Sequence, residues 1–150
     1  MRPSADSTSP ADPGRRVIEL NIPSDVRFIE RVVERVQREC EAMAYGSRQV
    51  TLNVPVALTE ALSNAILRGN CDDPSKHVYV HASVDAIQLV VEVRDEGQGF
   101  DLNSCTIDVD AGPIDREDGR GLFLMRKLMD RVECVAARTG NTVRLTLNRA

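Results

Sequence analysis

The sequence predicts an α+β fold of two layers, with three main helices against one mixed, mostly antiparallel sheet. Two patterns predict it. Several short segments alternate apolar and polar residues, as half-buried strands do, while three longer ones repeat apolar residues every third or fourth position, as amphipathic helices do. Their order is β-α-α-β-β-loop-α-β-β, and strands that follow one another directly favour hairpins. At 150 residues the chain has the length of one domain and can bury most of its apolar surface in a single core.

Residues 1–14, with Pro3, Pro10 and Pro13 among Ser, Ala and Asp, have too little apolar content to order themselves, so a flexible tail is expected before a domain over 15–150. Residues 16–22 carry Val17, Ile18, Leu20 and Ile22 as a strand that Pro23 ends. Ser24 is the expected N-cap of a long helix whose Val26, Ile29, Val33, Val36, Cys40 and Met43 form one stripe, ending at Tyr45-Gly46. Its remaining positions are crowded with Arg and Glu, which suits a solvated face laced with ion pairs or, alternatively, a partner-binding face.

The next helix is capped by Asn53 or its neighbour, carries Pro55 in its first turn, and stops at Gly69. Leu58, Leu62, Ala65 and Ile66 lie on one side of it; Glu60 and Asn64, four residues apart, stand one above the other on another. After a loop over 70–76, residues 77–84 alternate as a strand with Val78, Val80, Ala82 and Val84 on one face. Asp85-Ala86 turns the chain into a second, more apolar strand over 87–94. Then comes Asp95-Glu96-Gly97-Gln98-Gly99-Phe100, an acid at a strand exit followed by paired glycines where backbone can approach a ligand closely. The polar segment 101–118 is long enough for a lid or binding loop. It leads into Gly119-Arg120-Gly121-Leu122 and a helix to about residue 130. Residues 132–137 and 142–147 close the chain as strands around the loop Arg138-Thr139-Gly140-Asn141.

Composition narrows the function. A formal net charge of −4 leaves no overall basic footprint for nucleic acid, and few aromatics are present to stack on bases. The four cysteines form no CxxC pair and, with only His77 and His81 to join them, no zinc pattern; free thiols in a reducing cytosol are the simpler reading. The histidines suit ordinary sheet surface better than a metal pair, and Cys71 suits a structural role better than a regulated thiol. Phe100 and Phe123 are read as packing residues. No signal peptide is evident, and no window is read as approaching a membrane span, so a cytoplasmic protein with no membrane partner is expected. There is neither a P-loop nor a kinase His-Arg-Asp loop.

Three features need a joint explanation: Glu60 with Asn64, the Asp95-x-Gly97-x-Gly99 turn, and the Gly119-x-Gly121 start of a helix. A helix N-terminus offers unpaired N–H groups to phosphate. An amide can hold a metal ion against the same phosphates, and a buried aspartate can accept from the exocyclic amine of adenine. Each feature is common alone; together, in this order, they describe an adenine nucleotide pocket.

Through these residues the chain resembles the Bergerat-fold ATPases of the gyrase, Hsp90, histidine-kinase and MutL group. Glu60-Ala61-Leu62-Ser63-Asn64-Ala65 stands as the N box, Asp95 to Phe100 as the G1 box and Gly119-Arg120-Gly121-Leu122 as the G2 box. The resemblance spans about residues 16–148. Small size, a short lid and Gly-Arg-Gly-Leu-Phe-Leu-Met make it most similar to the bacterial anti-sigma-factor serine/threonine kinases. The resemblance implies a Bergerat-type fold, ATP with Mg2+, and Glu60 as the base that activates a partner's hydroxyl. It implies Asn64 as the Mg2+ holder, Asp95 on the adenine amine, Gly97 and Gly99 around the base, and Gly119 and Gly121 beside the phosphates. The implied partners are an anti-sigma-factor antagonist, which is phosphorylated, a sigma factor, which is sequestered, and a second copy in a homodimer; direct nucleic-acid binding is not expected.

Arg68 stands where many relatives carry histidine. Arginine keeps the charge and several donors but carries no proton between groups, so it either reaches phosphate or lies on the surface. Arg120 reaches phosphate or points outwards in the same way. The alternative function is a nucleotide-dependent partner-binding regulator with weak or no phosphoryl transfer. A histidine-kinase-type ATPase would need a phosphoacceptor domain from elsewhere.

Overall fold

The computed structural model describes residues 14–97 and 117–150, and the side chains of all of these except 117–120. The elements are β1 (Arg16–Pro23), α1 (Ile29–Ala42), α2 (Val54–Ser63), β2 (His77–Val84), β3 (Gln88–Arg94), α3 (Glu117–Leu128), β4 (Arg131–Ala137) and β5 (Gly140–Asn148). A 3-10 turn, Val26–Phe28, precedes α1, and π-helical turns Gln49–Asn53 and Asn64–Gly69 flank α2. Residues 1–13 of the expected flexible tail and most of the expected lid lie outside the described residues.

The strands form one sheet in the order β1-β2-β3-β5-β4, and every adjacent pair in it is antiparallel. β2 shows why the alternation was informative. Val78, Val80, Ala82 and Val84 are buried under the helices, while the residues between them lie on the other face. Leu89, Val91, Val93, Leu145 and Leu147 continue the same apolar floor on β3 and β5. Against it pack Val32, Val36 and Cys40 of α1, Leu58, Leu62 and Ile66 of the α2 run, and Leu122, Met125 and Met129 at α3.

The opposite face of the sheet is polar. Register sets Glu19, His81, Glu92, Arg144 and Glu133 side by side across all five strands. Arg144 pairs with Glu92 at 2.7 Å and with Glu133 at 3.7 Å, and His81 lies 3.8 Å from Glu19. Such exposed pairs contribute about 0–1 kcal/mol each. His77 is hydrogen-bonded through Nδ1 to Asn21 at 2.6 Å and stacks on Tyr79, so both histidines belong to the sheet surface.

Several local expectations are corrected. The cap is Asp25, which opens the 3-10 turn before α1 and accepts the Arg27 N–H at 2.9 Å; the Arg27 side chain and backbone lower its carboxyl pKa to about 2. Ser24 is instead buried and donates to the Lys76 carbonyl at 2.9 Å. The 3-10 turn rotates Val26 off the apolar stripe and leaves it exposed. α1 ends with the Tyr45 N–H bonded to the Cys40 carbonyl and the Ala44 N–H to that of Glu41, a Schellman closure with Ala44 at φ 62°.

Asn53 caps nothing: its φ and ψ are helical, and its amide donates to the Leu128 carbonyl at 2.7 Å. Helix therefore continues from Gln49 to Gly69, 21 residues, against the expectation of no membrane-length window. The run meets that length and composition because it is the core helix: Val54, Ala57, Leu58, Ala61, Leu62 and Ile66 are all buried, and it packs against α1 and α3. Ile87 belongs to the β2–β3 turn, held there by the Asp85 carboxylate accepting its N–H at 2.7 Å.

Candidate active site

α2 brings Glu60 and Asn64 to one side of the molecule, each half-buried. Asn64 is also the first residue of a π-helical turn, a widening that recurs at functional sites. The start of α3 lies directly over the pair. A Cβ added to Gly121 would stand 2.7 Å from Glu60 Oε1 and 3.4 Å from Asn64 Nδ2, so any side chain here would displace the Glu60 carboxylate. Gly119 and Arg120 precede Gly121, in the opening turn of α3, whose first four N–H groups have no partner within the helix. Among the described residues neither the Glu60 carboxylate nor the Asn64 amide has a hydrogen-bond partner.

The π turn links this pair to Asp95. Asn64 begins it, and Gly69, at its end, lies against the Asp95 carboxylate so closely that a Cβ there would overlap Oδ2. Asp95 is 5% exposed. Its Oδ1 accepts from the Gly97 N–H at 2.9 Å, the Asn141 N–H at 3.0 Å and the Asn141 amide at 3.4 Å. Its own N–H donates to the Asn141 carbonyl at 2.9 Å. Gly97 packs on the Gly69 carbonyl, and Gly140, at φ +148°, on the Asp95 carbonyl. One carboxylate oxygen is thus fixed by three donors while the other faces a glycine wall.

The tertiary structure brings together Glu60, Asn64 and Gly121 at one end of the π turn and Asp95 and Gly97 at the other. Arg68 lies on that turn but is exposed. Gly99 and Phe100 lie outside the described residues. By sequence Gly69 is only a helix stop; left-handed backbone comes later, at Cys71 and Asp72, and Gly69 is glycine for space. By sequence Asn141 and Gly140 are only hairpin loop, and Asn70 only loop; no local signal marks their contacts with the Asp95 segment. Cys71 is exposed, whereas burial pushes the Cys40 thiol up to about 12.

These residues fit a magnesium nucleotide. A buried carboxylate walled by glycines matches a base with an exocyclic amine, and an amide and a carboxylate beneath a helix N-terminus match phosphate and a divalent cation.

The chain belongs to the histidine kinase-like ATPase domain family, which matches residues 22–147. More particular relatives are named as a serine-protein kinase or as an anti-sigma factor. The serine-protein kinase RsbW of Bacillus velezensis is 31% identical over 137 residues, 86% of this chain and 83% of that one. That of Bacillus subtilis is 29% identical over the same coverage. The anti-sigma F factor of Halalkalibacterium halodurans is 33% identical over 85 residues, 55% of this chain and 58% of that one. Among solved structures, the RsbU and RsbW domains of a Mycobacterium tuberculosis protein superpose with a TM-score of 0.65 at 15% identity, covering 90% of this chain and 33% of that one. The mycobacterial sensor histidine kinase MprB gives 0.53 at 15% identity over 89% and 98%. At such identities these two show the fold, and it is the Bergerat-type fold expected from the three boxes.

Proposed function

We propose that this chain is an ATP-dependent protein serine/threonine kinase that phosphorylates an anti-sigma-factor antagonist and itself sequesters a sigma factor. The observation that carries the reading is the closeness of Gly121 to both Glu60 and Asn64, in a chain similar along most of its length to proteins named serine-protein kinase. The domain is residues 15–150, acting in the cytoplasm as a homodimer.

Glu60 accepts the proton of the antagonist's serine or threonine hydroxyl as that oxygen attacks the γ-phosphorus. Asn64 would hold Mg2+ through its amide oxygen, where the ion would supply charge neutralisation for the phosphates. Asp95 accepts the adenine amine, with Gly97 and Gly99 admitting the base. Gly119, Arg120 and Gly121 line the phosphates, and Arg68 supplies positive charge at the rim. Phosphoryl transfer asks a protein chiefly for positioning and charge stabilisation, which this short set can provide. Phosphorylation releases the antagonist from the kinase and leaves the kinase free to hold its sigma factor.

Purified protein, labelled ATP and a candidate antagonist protein are expected to yield phospho-antagonist. Glu60→Ala is expected to bind ATP and transfer nothing; transfer at the wild-type rate would remove Glu60 as base. The exposure of Arg68 favours a second reading, a nucleotide-dependent regulator that binds its partner without modifying it. Tight ATP-dependent binding with no phosphoprotein by mass spectrometry would select that one.

A further inference from the structure

Asn70 is fully buried, and its amide is used on both sides. Nδ2 donates to Ser24 Oγ at 2.7 Å and to the His77 carbonyl at 2.9 Å, while Oδ1 accepts the Glu96 N–H at 2.7 Å. Those partners sit after β1, at the start of β2 and after β3, so one side chain ties three separate segments to the end of the π turn. Glu96 is anchored in turn, its carboxylate accepting the His77 N–H at 2.7 Å and the Tyr79 hydroxyl at 3.0 Å. The backbone just beyond Asn70 is strained: Cys71 and Asp72 have φ of 53° and 59°, which side-chain-bearing residues rarely adopt. Such backbone persists where its surroundings over-determine it, and it collects at ligand clamps.

The Glu96 N–H belongs to the peptide that leaves Asp95, and Asn70 follows Gly69, the residue that walls Asp95 Oδ2. We propose that Asn70 is a positioning residue for base recognition: by clamping the Asp95–Glu96 peptide to the Gly69 turn, it holds the carboxylate where it accepts from adenine and rejects guanine. Adenine presents an amine where guanine presents a carbonyl, and a carboxylate held in place cannot turn away from that carbonyl. This inference rests on the nucleotide reading of the site. A purely structural asparagine would, on truncation, weaken every ligand alike.

The test is calorimetry of Mg-ATP, Mg-GTP and base-free magnesium triphosphate on wild type and Asn70→Ala, with folding checked by circular dichroism. Asn70→Ser is the second variant, judged by the same ratios should the alanine variant fail to fold. ATP affinity is expected to fall about tenfold, the order of one buried bond left unmade. The ATP-to-GTP ratio should fall with it, while triphosphate affinity stays within about twofold. An unchanged ATP-to-GTP ratio, or equal weakening of ATP and triphosphate, overturns the role of Asn70 alone. Wild-type protein that binds no ATP overturns the nucleotide reading, and this inference with it.

Discussion

Replacing Gly121 with alanine should separate folding from chemistry. The added methyl would stand 2.7 Å from Glu60 Oε1, inside van der Waals contact, so something must move by several tenths of an ångström or more. What meets it is the tip of a flexible, half-buried side chain, and the carboxylate can swing aside at little cost to the fold. Alanine also gains about 0.8–1.0 kcal/mol of helix propensity over glycine, so Gly121→Ala is expected to be as stable as wild type or slightly more so. Displacement of the proposed base is another matter. A misplacement of about 1 Å can cost on the order of 10²-fold in rate, or about 2.7 kcal/mol in the barrier.

Gly69→Ala is the contrasting case. Its methyl would overlap Asp95 Oδ2, on a buried carboxylate whose other oxygen is held by three donors, so nothing can withdraw easily. Overpacking there should destabilise by roughly 1–3 kcal/mol and abolish ATP binding. Urea unfolding, ATP calorimetry and single-turnover phosphoryl transfer read the three quantities separately. Wild-type transfer by Gly121→Ala would refute the placement of the base. A stability loss in Gly121→Ala equal to that in Gly69→Ala would refute the packing argument.

Two further expectations follow from local geometry. Ala44 sits at the left-handed closing position of α1, where a side-chain-bearing residue costs about 1–2 kcal/mol; part is offset by glycine's greater unfolded freedom, so Ala44→Gly should stabilise by roughly 0.5–1 kcal/mol in urea unfolding. The His77 N–H and then the Tyr79 hydroxyl hold the Glu96 carboxyl below its ordinary value. A lowered carboxylate contributes stability that is fully present above the unfolded-chain value and is lost as pH falls through the folded one. Urea midpoints from pH 7 down to pH 3 should therefore drop less steeply in Glu96→Gln than in wild type; parallel profiles would exclude Glu96 as a contributor.

Elements with a short repeat are legible in the sequence alone. β2 alternates over 77–84 because each second residue faces the helices, and that period is local. The juxtaposition of Glu60 and Asn64 follows from a four-residue spacing on one helix, and the glycines at 97 and 121 were marked by their place beside an acid and at a helix start. Tertiary structure alone decided what lies against what. The π turn over 64–69 carries no compositional signal, yet it connects the two halves of the site and takes Arg68 to the surface. Gly69 reads as a helix stop until Asp95 is seen occupying the space of its missing side chain. Asn141 reaches Asp95 from 46 residues away, and Asn70 reaches Glu96 from 26 and Ser24 from 46. No periodicity spans such separations. The same cause leaves Asn53, expected as a cap, inside a helix, its side-chain amide donating to the Leu128 carbonyl at the end of α3. Local pattern selects the elements, but a buried polar atom takes its partner from whichever segment the packed sheet and helices bring beside it.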